Sequence, residues 1–109
     1  DIRVQKIGKH IRAFKRVTVC GNWKTNTGTS DVSDIPVTDE FRTWIEAASK
    51  IFGGLDICTV DAIHDKKSGR DIILEVNGTS SGFLRQHLKE DNGYVRDLVC
   101  KRMKELKII

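Results

Sequence analysis

Two pairs of short strand-like segments constrain the fold of this chain more than any other feature of its sequence. In the first pair, apolar residues recur at every second position on both sides of Gly8-Lys9, which predicts two strands joined by a tight turn. In the second pair, the apolar runs Leu55–Ile63 and Ile72–Val76 flank a polar turn at Lys66–Gly69. This pattern predicts a second, buried hairpin. The sheet is therefore expected to be antiparallel.

Two helices complete the predicted fold. Thr38 can cap a helix of about four turns that carries an apolar face from Phe41 to Ile51 or Phe52 and stops at Gly53-Gly54. Tyr94, Leu98 and residues 101–106 mark a closing amphipathic helix. The polar segment from residue 20 to residue 35 is predicted to be a long loop, since its alternation stops. We therefore expect an α+β fold, with both helices on one face of the sheet and the functional site on the other.

Composition narrows the class of protein. The 109 residues allow one small domain, and 19 Lys and Arg against 15 Asp and Glu give a net charge of +4. With only 6% aromatic residues, that balance argues against a nucleic-acid-binding protein. Three cysteines without a C-x-x-C pair favour a reducing compartment, and no apolar run is long enough to span a membrane. The opening at Asp1, without a methionine, suggests a piece of a longer protein.

The second hairpin carries a candidate metal site. Asp61 lies near the end of one strand, and Glu75 and Asn77 lie two residues apart on the next, so the last two side chains project from the same face. Together the three residues offer the hard oxygen ligands that Mg²⁺ uses when it is shared with substrate phosphates. The alternative is that all three are ordinary polar residues on a solvated face. The apolar runs around them favour the metal site, because unpaired acids there are costly.

A candidate phosphate-binding loop precedes the first helix. In Gly21–Gly28, two glycines bracket Lys24 among amide and hydroxyl groups, and such a loop can close over a polyphosphate. It is not a Walker A motif, because it lacks both the glycine spacing and the Gly-Lys-Ser/Thr ending. The alternative interpretation, a plain surface loop, stays open, since most glycine-rich loops bind no phosphate.

The acid at the end of one strand, the Glu-x-Asn on the next and the glycine-rich lysine loop resemble the C-terminal part of an ATP-grasp domain. The chain is most similar to the synapsin family, in the stretches Asp1–Gly8, Gly21–Gly28 and Ile51–Cys58 and over nearly all of residues 1–109. The resemblance implies an ATP-grasp C-terminal subdomain in which Asp61, Glu75 and Asn77 hold the metal. It also implies that Lys24 covers the ATP phosphates, and that Arg16 and Asp1 lie near the nucleotide.

Further properties follow from the resemblance alone. It implies ATP binding with Ca²⁺ or Mg²⁺, association into dimers or tetramers, and a cytoplasmic, presynaptic location on the synaptic vesicle membrane surface, with actin as a partner. Regulation of self-association and neurotransmitter secretion by ATP would then be the function, without established turnover.

One departure from the wider superfamily bears on catalysis. Many ATP-grasp amino-acid ligases place an arginine two residues before the first metal acid, where Thr59 stands here. This favours ATP binding without turnover over the alternative of a carboxylate–amine or carboxylate–thiol ligase that acts through an acyl phosphate. A third hypothesis is a scaffold with a degenerate nucleotide site, against which the joint presence of Asp61, Glu75 and Asn77 argues.

Overall fold

The structure, a computed structural model, describes residues 1–18, 30–79 and 82–107. Single 3₁₀ turns lie at Ile51–Gly53 and Arg85–His87. The strands and helices are β1 (Ile2–Ile7), β2 (His10–Thr18), β3 (Ser30–Ile35), α1 (Asp39–Ser49), β4 (Ile57–Asp65), β5 (Arg70–Asn77) and α2 (Leu88–Glu105).

The strands form one antiparallel sheet in the order β3-β2-β1-β4-β5. Both predicted hairpins are confirmed, because β1 pairs with β2 and β4 pairs with β5. Gly8 has a φ of 58° in the first turn, a left-handed conformation that glycine adopts at little cost. The pairing that local patterns did not reveal joins β1 to β4, and it makes β1 the central strand.

The hydrophobic core lies between α1 and one face of the sheet. Val4 is fully buried on β1, opposite Ala13 of β2 and Val60 of β4, and all three pack in one cluster with Phe41 and Ile45 of α1. Successive strand residues point to opposite faces, so the odd-numbered residues of β1 face away from this core. The charged side chains of the sheet are concentrated on that second face.

The helix α2 contacts the second face of the sheet, not the face that α1 covers. Arg12 alternates with the core residue Ala13 and donates hydrogen bonds to Glu90 and Asp91 of α2. The α+β class and the antiparallel sheet are confirmed, but the two helices lie on opposite faces rather than on one. The amphipathic pattern of α2 could not show this, because its anchoring contacts are charged pairs and not an apolar stripe.

The N-terminal end of α1 confirms the prediction, whereas its C-terminal end does not. The Thr38 hydroxyl oxygen accepts a hydrogen bond from the backbone N–H of Phe41 at 3.1 Å, as expected for a helix cap. The helix ends at Ser49 after 11 residues. Ile51 and Phe52 lie beyond it and are 38% and 91% exposed, so the prediction that they extend its apolar face is wrong.

Two further corrections concern the edges of the sheet. The predicted loop from residue 20 to residue 35 contains the edge strand β3, whose polar sequence hid its pairing with β2. The prediction of a buried second hairpin fails for β5, because Ile72, Ile73, Leu74 and Val76 are each at least 39% exposed. The helix α1 packs mainly against β4 and β1, so the edge strand β5 lies outside the part of the sheet that this helix covers. Among the described residues, no helix has the length and apolar character needed to cross a membrane.

Candidate functional site

A cavity of about 330 Å³ opens near the N-terminal end of β1. Asp1 and residues of four strands line it, and they combine two arginines with three acids and several apolar side chains. Four of the residues that the sequence analysis predicted or carried over as site residues line this cavity: Asp1, Arg16, Asp61 and Glu75.

The sheet register places three charged side chains in one row across three strands. Asp61 of β4 lies opposite Arg3 of β1 on one side and opposite Glu75 of β5 on the other. Directly opposed residues of an antiparallel pair have side chains about 5 Å apart on the same face. The register shifts between Asp61 and Ala62, a bulge-like irregularity of the kind that re-aims side chains at functional sites.

Arg3 and Asp61 form a bidentate ion pair. The Nε atom of Arg3 donates to Oδ1 of Asp61 at 2.7 Å, and its Nη2 atom donates to Oδ2 at 3.1 Å. The side chains are 21% and 18% exposed, so the pair is shielded yet accessible from the cavity. Arg3 is a site residue that the sequence analysis missed. Alternation already placed it on the face away from Val4, but only the pairing of β1 with β4 brings it to Asp61.

Glu75 and Asn77 share a face of β5, as their spacing predicted. Nδ2 of Asn77 donates to Oε1 of Glu75 at 2.8 Å, which directs the amide and the carboxylate toward each other. Asn77 lies opposite Thr59 of β4, one register row away from the Asp61–Glu75 pair. The three predicted metal ligands are therefore neighbours on one face of the β4–β5 hairpin.

This donor set suits a cation that is shared with phosphates. It is not a site built from His, Cys, Asp and Glu side chains alone, since no group of three or more of these among the described residues could hold a metal ion. Two carboxylates and an amide oxygen leave most positions of an octahedral Mg²⁺ ion to water and phosphate oxygens. Arg3 already occupies both oxygens of Asp61, so Asp61 would have to share one of them with a cation, whereas Glu75 has an oxygen to offer directly.

Asp1 and Arg16 are joined through their backbones at the rim of the cavity. The backbone N–H of Arg16 donates to the carbonyl oxygen of Asp1 at 2.9 Å, and the N-terminal ammonium group of Asp1 donates to the carbonyl oxygen of Arg16 at 3.3 Å. These bonds fix Arg16 beside the cavity and leave its guanidinium group for other partners. Lys24 and the rest of Gly21–Gly28 lie outside the described residues.

Thr59 lies two residues before Asp61, where the resemblance to ATP-grasp ligases led us to look for an arginine. It is 1% exposed and lies opposite Gln5 and Asn77. Its short hydroxyl cannot reach into the cavity as a guanidinium group could. The guanidinium group next to Asp61 belongs to Arg3, which lies on a different strand.

Comparison with known proteins adds two findings. A family model described as "Synapsin, ATP binding domain" matches residues 1–105. The chain is also 31% identical, over 106 residues, to a protein of Drosophila melanogaster named Synapsin. That match covers 97% of this chain and 10% of the relative, so the chain spans about a tenth of the relative's length.

Proposed function

The chain belongs to the synapsin ATP-binding domain family, and from that premise we propose that its 330 Å³ cavity binds the phosphate end of ATP together with a divalent cation. The observation that carries this proposal is the row of Arg3, Asp61 and Glu75 across three strands, with Arg16 beside it. Such a row combines cationic donors for phosphate oxygens with anionic ligands for a metal ion.

Each charged residue has a distinct role in the proposed complex. The guanidinium group of Arg16 binds phosphate oxygens, since planar donors suit that geometry. Glu75 and Asn77 hold the cation, and Asp61 adds a further oxygen while Arg3 keeps its carboxylate in place. Lys24 contributes a further positive charge to the binding of the phosphates. A bound cation supplies charge neutralisation between the carboxylates and the phosphates, which would otherwise repel each other.

Either Mg²⁺ or Ca²⁺ is compatible with these ligands. Both ions bind carboxylate and carbonyl oxygens, and they differ in the number and regularity of the ligands that they need. We propose that binding of the metal–nucleotide pair regulates self-association into dimers or tetramers. In the full-length protein, this regulation would act in the presynaptic cytoplasm, on the synaptic vesicle surface and near actin, and would influence neurotransmitter secretion.

The test is calorimetric titration of ATP into the chain with Mg²⁺, with Ca²⁺ and with EDTA. We expect binding only when a cation is present. Glu75→Gln keeps the size of the side chain and removes its charge, so it should weaken metal-dependent binding at least tenfold. Glu40→Gln is the matched control, because Glu40 is exposed on α1, on the other face of the sheet. Equal affinities of Glu75→Gln and Glu40→Gln would contradict the assignment of the metal site.

The Arg3–Asp61 pair supports a second candidate function, an ATP-grasp ligase that forms an acyl phosphate. Arg3 places a guanidinium group in the cavity, where it could stabilise a transferred phosphoryl group in place of the arginine that Thr59 replaces. This candidate predicts release of ADP when carboxylates and amines are supplied with ATP. The absence of ADP release across a panel of such substrates would leave ATP binding without turnover as the function.

A further inference from the structure

A second cavity, of about 140 Å³, lies between the β1–β2 hairpin and the start of α2. It is on the sheet face opposite α1, and it shares no lining residue with the 330 Å³ cavity. Its polar lining residues are Gln5, His10, Arg12, Glu90, Asp91 and Tyr94. None of these residues has a role in the proposed binding of ATP.

Two buried side chains in this lining have polar atoms without a partner. Gln5 and Asp91 are 2% and 1% exposed. Within the described part of the chain, neither amide atom of Gln5 forms a hydrogen bond, and Asp91 uses only Oδ1, which accepts from Arg12 at 3.1 Å. A buried polar atom without a hydrogen-bond partner destabilises the folded state, because it has lost its bonds to water. A ligand that forms hydrogen bonds with both side chains would therefore be stabilised in this cavity.

The charges around the cavity favour a cation. Among the described residues that line the cavity, Arg12 carries the one guanidinium group, and it donates to Glu90 at 2.7 Å as well as to Asp91. Hydrogen bonds from Tyr94 and then Arg12 lower the pKa of Glu90, so its carboxylate is ionised at neutral pH. Two carboxylates facing one guanidinium group leave a net negative charge. The ring of His10 stacks on that of Tyr94 with centroids 3.6 Å apart, which stiffens one wall of the cavity.

We propose that this cavity binds a protonated primary amine, whose N–H groups donate to the free oxygen of Asp91 and to the amide oxygen of Gln5. An ammonium group is small, carries one positive charge and has three donors, so it satisfies the charge and both acceptors together. The volume also leaves room for a water molecule, of roughly 30 Å³, that accepts from the Gln5 amide nitrogen. It is too small for a nucleotide, so the amine is a separate ligand from ATP.

The test measures thermal unfolding of the full 109-residue chain in chloride salts of methylammonium, potassium and tetramethylammonium at equal ionic strength. We expect Tm to rise with methylammonium concentration and to saturate, with no such rise in the other two salts. Potassium has the charge without the donors, and tetramethylammonium is larger and cannot donate. Equal rises in methylammonium and potassium would overturn the proposal, and so would the absence of a saturable rise in methylammonium, since the cavity then holds only water.

Substitutions of lining residues test whether the methylammonium effect on Tm arises in this cavity. Gln5→Leu keeps a similar size and removes a buried amide that has no partner, so it should fold and lose at least tenfold in apparent methylammonium affinity. Asp91→Asn should lose as much, and Glu90→Gln replaces it in the test if Asp91→Asn does not fold. Asp97→Asn is the matched control, because Asp97 lies on the same helix with its side chain 71% exposed. A methylammonium response that survives in Gln5→Leu would refute the assigned site.

Discussion

Thr38 is the residue whose local role is most sharply defined. Its hydroxyl oxygen accepts from the backbone N–H of Phe41 and so satisfies one of the free N–H groups at the start of α1. Removal of this bond in Thr38→Ala should lower the free energy of unfolding by about 1 kcal/mol, a typical value for the loss of a cap. Urea unfolding followed by circular dichroism measures this difference.

Thr43 provides the matched control for Thr38. It lies inside α1, where its hydroxyl group donates to the carbonyl oxygen of Asp39 at 2.9 Å and is exposed to solvent. Thr43→Ala removes the same atoms without removing a cap, and alanine has the higher helix propensity. This variant should be unchanged or slightly more stable. Similar losses in both variants would show that the cap is not the source of the effect.

For individual residues, the sequence predicted the features that depend on residues nearby in the chain. The cap at Thr38 follows from a local signal, and so does the shared face of Glu75 and Asn77, because a spacing of two fixes their directions. Arg3 could not be assigned in this way. Its partner Asp61 is 58 residues away, and no local pattern indicates which strand lies beside β1.

Near the C-terminal end of α2, an ion pair attaches this helix to the sheet. Nη2 and Nε of Arg102 donate to the two carboxylate oxygens of Asp56 at 2.6 and 2.9 Å. These hydrogen bonds hold the pKa of Asp56 below its usual value. A lowered pKa in the folded state adds stability above the pKa of the unfolded state, and this stability is lost as pH falls through the folded-state pKa.

The expected effect is small, since both side chains are more than one-third exposed and water screens their attraction. Asp56→Asn should lower Tm by roughly 2 °C at pH 6, and the difference should shrink as pH falls through the folded-state pKa of Asp56. Arg102→Gln should show the same pH dependence, and the double variant should add little. A Tm difference that stays constant from pH 6 to pH 2.5 would contradict this account of the attachment.

Strands could be predicted from the sequence where the spacing of their apolar residues reflects burial in the core. The segments β1, β2 and β4 each place alternate residues in the core. The β1–β2 and β4–β5 hairpins and their turns followed from the sequence, whereas the pairing of β1 with β4 did not. The strand β3 did not, because its residues Ser30–Ile35 are mostly polar and gain their conformation from pairing with β2. The sequence also did not predict which face of the sheet α2 contacts, because charged pairs anchor this helix.

At the scale of the whole molecule, the proposed ATP site exists only when the sheet is assembled. Its charged residues come from β1, β2, β4 and β5, and they meet through pairings between segments far apart in the chain. The sequence supplied most of these residues through spacing and resemblance, but it could not supply their arrangement. The unfolded chain therefore has no comparable site, and the ligand should bind the folded state alone.

This dependence on assembly makes ATP binding visible as a gain in stability. A ligand that binds only the folded state and is present at one hundred times its Kd adds about 2.7 kcal/mol to the free energy of unfolding. We therefore expect Mg²⁺ and ATP together to raise Tm, and EDTA to abolish the rise. Arg16→Ala should reduce it, because Arg16 lines the cavity, whereas Lys15→Ala should not, because Lys15 points to the other face of β2. An equal rise in both variants would place ATP elsewhere on the molecule.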